Sequence, residues 1–252
     1  MITPLLRTFA LCLLPFALTL ALPVRAQQPE APKPAKLRFI FLDESAGAYS
    51  LKIGGHYQQV SSKPYVISPV FTPASADRLD IYKTNTTPDP INGKIERVKI
   101  ASVTPPADTT SALVVVTPRP AQPGVAPVYG VQLIDSSIAH FPLGSIRILN
   151  LGRVTMAAQF GSSQVIVQPG ASQIVQPSAD RRFRILARIA AKSADSWELR
   201  SDNLIILHPD ERVTGVFFYS PSGMIHTFTR DEILEHGPPP PGHFWLTYSD
   251  TP

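Results

Sequence analysis

The chain has 252 residues, 44% of them apolar and 17% charged, with 23 Lys+Arg against 19 Asp+Glu and a formal net charge of +4. A balance this close leaves no electrostatic footprint for nucleic acid or an anionic membrane surface. Proline is the excess: 27 residues, about twice the average usage of ~5%, exclude long helices, because an interior proline removes a helix donor and clashes with the preceding turn.

The first segment is an export signal. One cation, Arg7, precedes an apolar run from Thr8 to Pro23, and Val24-Arg25-Ala26 closes it. That order of charged, apolar and small residues places the cleavage after Ala26. An uncleaved anchor needs about 20 apolar residues, and Pro15 and Pro23 interrupt this run. Leu11 before Cys12, with Leu13 and Leu14 after it, is not a lipoprotein context. Cys12 is the only cysteine and leaves with the signal, so a mature protein in the periplasm or outside the cell forms no disulfide. Residues 27–252 hold 21 Lys+Arg against 19 Asp+Glu, a net charge of +2, and 24 of the prolines. They contain no transmembrane pattern.

Residues 27–36 (QQPEAPKPAK) are polar and proline-rich, a linker without apolar periodicity. Strand signals follow at Leu37–Asp43, Tyr49–Ile53 and, after the Gly54-Gly55 turn, Tyr57–Ser61. The first set continues with Tyr65–Phe71, Arg78–Lys83, Ile95–Ala101, Ala112–Thr117 and Val128–Asp135. A second set comprises Ser145–Asn150, Val154–Phe160, Gln164–Gln168, Ala171–Gln176, Arg182–Ile189, Asn203–His208, Val213–Ser220 and Gly223–Thr229. Short helices are predicted only at Asp135–His140 and Asp231–His236, and Gly237 to Gly242 encloses a polyproline run.

The two sets resemble copies of one unit. Arg38-Phe39-Ile40 answers Arg147-Ile148-Leu149, Gly55 answers Gly161, and the tetrad Ser-Ala-Asp-Arg recurs at 75–78 and 178–181. Ala112–Thr117 (ALVVVT) answers Gly215–Ser220 (GVFFYS), each with a proline close behind. Four landmarks in one order, with slowly shrinking offsets, are the pattern of a duplication with loop deletions. Units of about 105 residues with seven or eight short strands predict an all-β fold of two tandem immunoglobulin-like β-sandwich domains, at 37–143 and 144–230, followed by a proline-rich tail at 231–252.

Motifs for catalysis or cofactors are missing from the sequence: no Gly-x-Ser-x-Gly elbow, no Ser-x-x-Lys, no phosphate loop and no His-Glu-x-x-His string. The acidic pairs Asp43-Glu44, Asp210-Glu211 and Asp231-Glu232 are the candidates for a carbohydrate-active hydrolase, but adjacent acids on a strand point to opposite faces. His236 and His243 flank the polyproline run, too little for a metal site. The cationic cluster is more suggestive. On a regular strand Arg182, Arg184 and Arg188 share one face and Phe183, Ile185, Ala187 and Ile189 the other, a candidate surface for an anionic partner. His243-Phe244-Trp245-Leu246-Thr247-Tyr248 is strongly β-prone and is expected to dock on its own chain, because exposed it would invite aggregation.

The segment IRILNLGRVTMAAQF…VIVQPGASQIV is similar to the strand–Asn–strand pattern and Pro-Gly turn of periplasmic pilus-assembly chaperones, over about one quarter of the mature chain. Those proteins also combine a signal peptide with two cysteine-poor immunoglobulin-like domains. The resemblance implies a chaperone as the alternative function, with two cations anchoring a subunit's carboxylate; the sequence does not locate that pair. The favoured expectation is a non-catalytic, cofactor-free binding or structural module of the cell envelope, contacting another envelope protein or a glycan. N-terminal sequencing of the exported protein is expected to begin at Gln27; a chain that begins at Met1 contradicts the signal reading.

Overall fold

The computed structural model describes residues 34–250, apart from 46, 54, 62, 74–77, 86–87, 89–92, 120–127, 224 and 226–228. The signal, most of the linker and most of the first Ser-Ala-Asp-Arg tetrad therefore lie outside the described residues. Strands take 55% of the chain and helix 3%, so the fold is all-β. No helix among the described residues is long and apolar enough to cross a membrane.

The first half contains β1 (Lys36–Phe41), β2 (Ala48–Ile53), β3 (His56–Ser61), β4 (Leu79–Thr84), β5 (Arg97–Val103), β6 (Ser111–Pro118) and β7 (Tyr129–Asp135). The second contains β8 (Ser145–Asn150), β9 (Met156–Phe160), β10 (Ser163–Val167), β11 (Ser172–Val175), β12 (Arg184–Ser193), β13 (Ser196–Ile206) and β14 (Arg212–Ser220), then α1 (Arg230–His236) and β15 (Gly242–Ser249). They form four sheets, ordered β3-β2-β4-β5, β1-β6-β7, β11-β8-β14-β15 and β10-β9-β12-β13.

Each half repeats one pairing scheme. A parallel pair, β1 with β6 or β8 with β14, lies beside an antiparallel hairpin partner, β7 or β15. In the facing sheet the hairpin β2–β3 or β9–β10 is joined by β4 or β12, which pairs onward with β5 or β13. The register refines the sequence match: Arg38 lies opposite Leu113 and Arg147 opposite Thr214, so β14 sits two residues away from the ALVVVT–GVFFYS alignment.

Alternation along the inner strands sorts side chains into three cores. Leu37, Phe39 and Phe41 of β1 and Ala112, Val114 and Val116 of β6 face the first half's interior. Ile146 and Ile148 of β8 and Phe217 of β14 face the second's. The opposite faces do not meet water: Ile40, Leu113 and Val115 pack against Leu149, Val216 and Phe218 in a third core that joins the halves. A strand buried on both faces must read as a continuous apolar run, and this is why ALVVVT and GVFFYS carry almost no polar residue. Each fully buried side chain of this kind contributes roughly 1.5–3 kcal/mol relative to exposure, so the junction core holds the two halves together, although it is smaller than the core of either half.

Several elements differ from the sequence expectation. Residues 65–71 form no strand; Tyr65 takes φ 60, and only an isolated bridge from Phe71 to Leu37 pairs regularly. Pro69 supplies no N–H for a ladder, and Ser68 and Phe71 instead donate to the Phe39 and Leu37 carbonyls. β12 and β13 run much longer than expected, through a two-residue turn in which Ala194 has φ 47. An Ala-Asp turn carries no glycine or asparagine signal, so the hairpin was invisible as one. Asp135 ends β7 and residues 136–140 make a bend and a turn in place of the expected helix, whereas α1 forms with a capping box between Thr229 and Glu232. Part of 223–229 lies outside the described residues. Beyond it β15 pairs along the whole of β14, so residues 242–249 belong to the second half's inner sheet.

That pairing brings the six-membered ring of Trp245 against Gly215, where an added Cβ would fall 1.9 Å from the ring. Gly215→Ala is expected to lower stability by about 1–3 kcal/mol through overpacking, read as a shifted denaturation midpoint. A midpoint equal to the parent's would show that the indole is not held there.

Candidate functional site

The predicted cationic face exists as a surface of the outer sheet β10-β9-β12-β13. Ile185, Ala187 and Ile189 point into the core, while Arg184 and Arg188 point outward. Arg182 stands before the strand, in an exposed turn whose N–H donates to Asp180 Oδ1 at 2.7 Å. Phe183 does not share the buried face: with φ 58 it stays partly exposed against His208. Two of the three guanidiniums already have acids beside them. Arg184 pairs with Asp180 at 2.8 Å and Arg188 with Asp202 at 3.3 Å. Both pairs are exposed and screened by water, so each contributes little to stability, but together they lower the net charge of the strip.

Between the arginines the same face is apolar. Leu186 lies opposite Leu204, and Arg184 opposite Ile206. Leu199, Leu204 and Ile206 are 59%, 60% and 60% exposed, and Trp197 is also exposed. All four are on β13, the end strand of its sheet. Its eleven residues carry one edge of backbone groups that no other strand pairs among the described residues. Natural edge strands are usually short, charged or covered; this one is long, and beside Glu198, Arg200 and Asp202 it carries bulky exposed apolar side chains.

The edge borders an opening. Between β13 and β15 lie two depressions of about 390 and 440 Å³, reached by Leu204 and Ile205 on one side and Thr247 and Tyr248 on the other. The equivalent gap in the first half is filled, since Ile100 and Ala101 of β5 and Val131 and Leu133 of β7 pack against its core. In the second half the inward positions Ser201 and Asn203 of β13 are polar, and they cannot close the gap by hydrophobic contact.

The carboxylate pairs do not converge on one another. Asp43 accepts from Lys83 at 2.8 Å and Tyr129 at 2.6 Å, and also from Ser45. Glu44 accepts from Tyr65 at 2.6 Å, from the Ser222 N–H and from Ser220, so it ties the first half to the end of β14. Both border a cavity of about 320 Å³ near Arg153. Glu211 accepts from the His208 N–H, and Glu232 caps α1. Among the described residues no group of three His, Cys, Asp or Glu could hold a metal ion. His243 lies between the rings of Phe217 and Tyr219, with Nε2 lacking a partner, and burial pulls its pKa down.

No protein-family model matches the chain, and no curated protein matches it. The candidate site therefore rests on its own geometry: a long apolar edge, beside an open groove, flanked by arginines that are already partly neutralised.

Burial alone would raise the pKa of Asp43, but its hydrogen bonds from Lys83, Ser45 and Tyr129 outweigh that and hold it far below the usual carboxylate range. A depressed folded-state pKa contributes stability that is present above the unfolded value of 3.8 and lost as pH falls toward the folded value. The stability advantage of the parent over Asp43→Asn is therefore expected to shrink between about pH 5 and pH 2. Denaturant unfolding across that range checks it, and a constant difference would contradict the depressed pKa.

Proposed function

We propose that this protein is an exported, non-catalytic binding module of the cell envelope, built as two tandem immunoglobulin-like β-sandwich domains from a duplicated unit. The repeated pairing scheme supports the duplication, and the signal sequence supports the compartment. The observation that carries the binding role is the β13 edge, with Leu199, Leu204 and Ile206 exposed on a strand that no other strand pairs along its outer side among the described residues.

The occupant we favour is an extended segment of another envelope protein, added as a fifth strand to the β10-β9-β12-β13 sheet. Main-chain hydrogen bonds along β13 supply affinity in this mode, and alternate side chains supply specificity. Apolar residues at every second position of the partner would cover Leu204 and Ile206. Arg182, the one cation of the predicted strip without a paired acid among the described residues, is placed to meet an acid at the partner strand's end. A glycan is less suited to this edge, since it offers no backbone ladder to complete.

The test is site-specific photocrosslinking in the producing cell. A photoreactive residue at Leu204 is expected to capture one envelope protein, and Leu199→Lys with Ile206→Lys should cut the adduct about tenfold, a loss of ~1.4 kcal/mol. The same residue placed at Lys52, on the other half, serves as the control. Adducts that are equal at both positions, absent, or formed only with a second copy of the chain would each refute the reading.

A further inference from the structure

Where the two halves meet, three arginines surround a single carboxylate. Arg147, 1% exposed, donates to Asp250 Oδ2 at 2.6 Å, to Ser136 Oγ at 2.8 Å and to Thr214 Oγ1. Arg212, 2% exposed, donates to the Asp250, Ser136 and Phe141 carbonyls at 2.8–2.9 Å. The Phe141 ring lies between the two guanidiniums, 4.3 and 4.8 Å from their centres. Arg38, the repeat equivalent of Arg147, completes the ring through Ser249 O at 3.0 Å and Asp250 Oδ1 at 3.3 Å.

Among the described residues three guanidiniums contact this one carboxylate, with Asp135 acting on Arg147 from farther off. Asp250 Oδ2 is saturated by Arg147 and Thr214, whereas Oδ1 is 3.3 Å from Arg38 and 3.8 Å from Arg212 Nη2. The Arg212 Nη2 amino group thus makes no hydrogen bond among the described residues, although its side chain is almost wholly buried. Nη2 itself keeps solvent contact on the cavity that Arg212 lines, so what it lacks is a protein partner. Burial is the leading influence that pulls both Arg147 and Arg212 below the usual guanidinium range.

Beside this cluster opens a cavity of about 370 Å³, lined by Lys36, Arg38 and Arg212 as well as Asp250, Ser136 and Ser137. Its lining brings three cations and one acid together, and that acid is already shared with Arg147. We propose that the cavity is a binding site for a small oxyanion, a carboxylate or a phosphate group, held by the Arg212 Nη2 amino group, the free side of Arg38 and the rim ammonium of Lys36. A planar or tetrahedral oxyanion matches a guanidinium fork. It would also supply the negative charge that one aspartate cannot. The site is separate from the β13 edge and stands or falls independently of it.

Calorimetric titration of the full chain with sodium phosphate, and separately with sodium acetate, tests this at an ionic strength fixed with chloride. Saturable binding of either anion is expected, and the tighter one identifies the group the cavity accepts. Arg38→Gln should weaken it about tenfold, while Lys52→Gln, remote on β2, should leave it unchanged. The proposal is overturned if neither anion binds better than chloride, if folded Arg38→Gln binds like the parent, or if Lys52→Gln weakens binding equally. Should Arg38→Gln fail to fold, Lys36→Gln at the exposed rim decides alone: a threefold or greater loss, roughly 0.6 kcal/mol or more, supports the site, and unchanged affinity overturns it.

Discussion

The constraint on which the rest of the structure depends is that both inner sheets are buried on both faces. Alternation then cannot separate an apolar from a solvated side, and residues 112–116 of β6 and nearly all of β14 are buried on one side or the other. Val114 faces the first half's interior while Val115 faces the junction; Phe217 and Phe218 divide in the same way in the second. A polar side chain on these strands is tolerated only where partners wait for it. Thr214 meets Arg147 and Asp250, and Arg147 meets Ser136, Thr214 and Asp250. The polar cluster at one end of the junction is thus a condition of the four-layer stack, since any unpaired member would be stranded away from water.

The matching pairing schemes of the two halves show how that cluster is built. Arg38 and Arg147 are answering residues of the two opening strands, and each extends into the junction toward a different oxygen of Asp250. One copy is sealed and the other partly open, because β15 and its following aspartate close over Arg147 while Arg38 borders a cavity. The two halves, alike in pairing scheme, differ in the position of their ends. The same divergence separates the outer edges, where apolar residues fill the gap in the first half and Ser201 and Asn203 leave it open in the second.

These two departures from repeat symmetry are where binding is proposed. A packed, closed sandwich offers a partner little beyond its loops. An unpaired edge offers hydrogen bonds in a row, and a cationic pocket offers charge that the fold has not neutralised. The carboxylates at the opposite end of the junction are spent on structure instead: Asp43 on Lys83 and Tyr129, and Glu44 on Tyr65 and Ser220.

The sequence by itself determined the all-β class of the fold and most strand positions, because these rest on local signals: β-branched runs and proline spacing. It also placed Arg184 and Arg188 on the outer face, since alternation is a property of a single strand. Tertiary structure alone decided which charges were left over. Asp180 and Asp202 beside those arginines, and Asp250 between Arg38, Arg147 and Arg212, lie between four and more than two hundred residues away along the chain. Nothing local in IRILN indicated that its arginine would be buried, or that Tyr65 would break a strand to stack on Phe218. Periodicity reveals which way a side chain points. Only the assembled layers reveal whether it points at water, at a core or at an opposite charge.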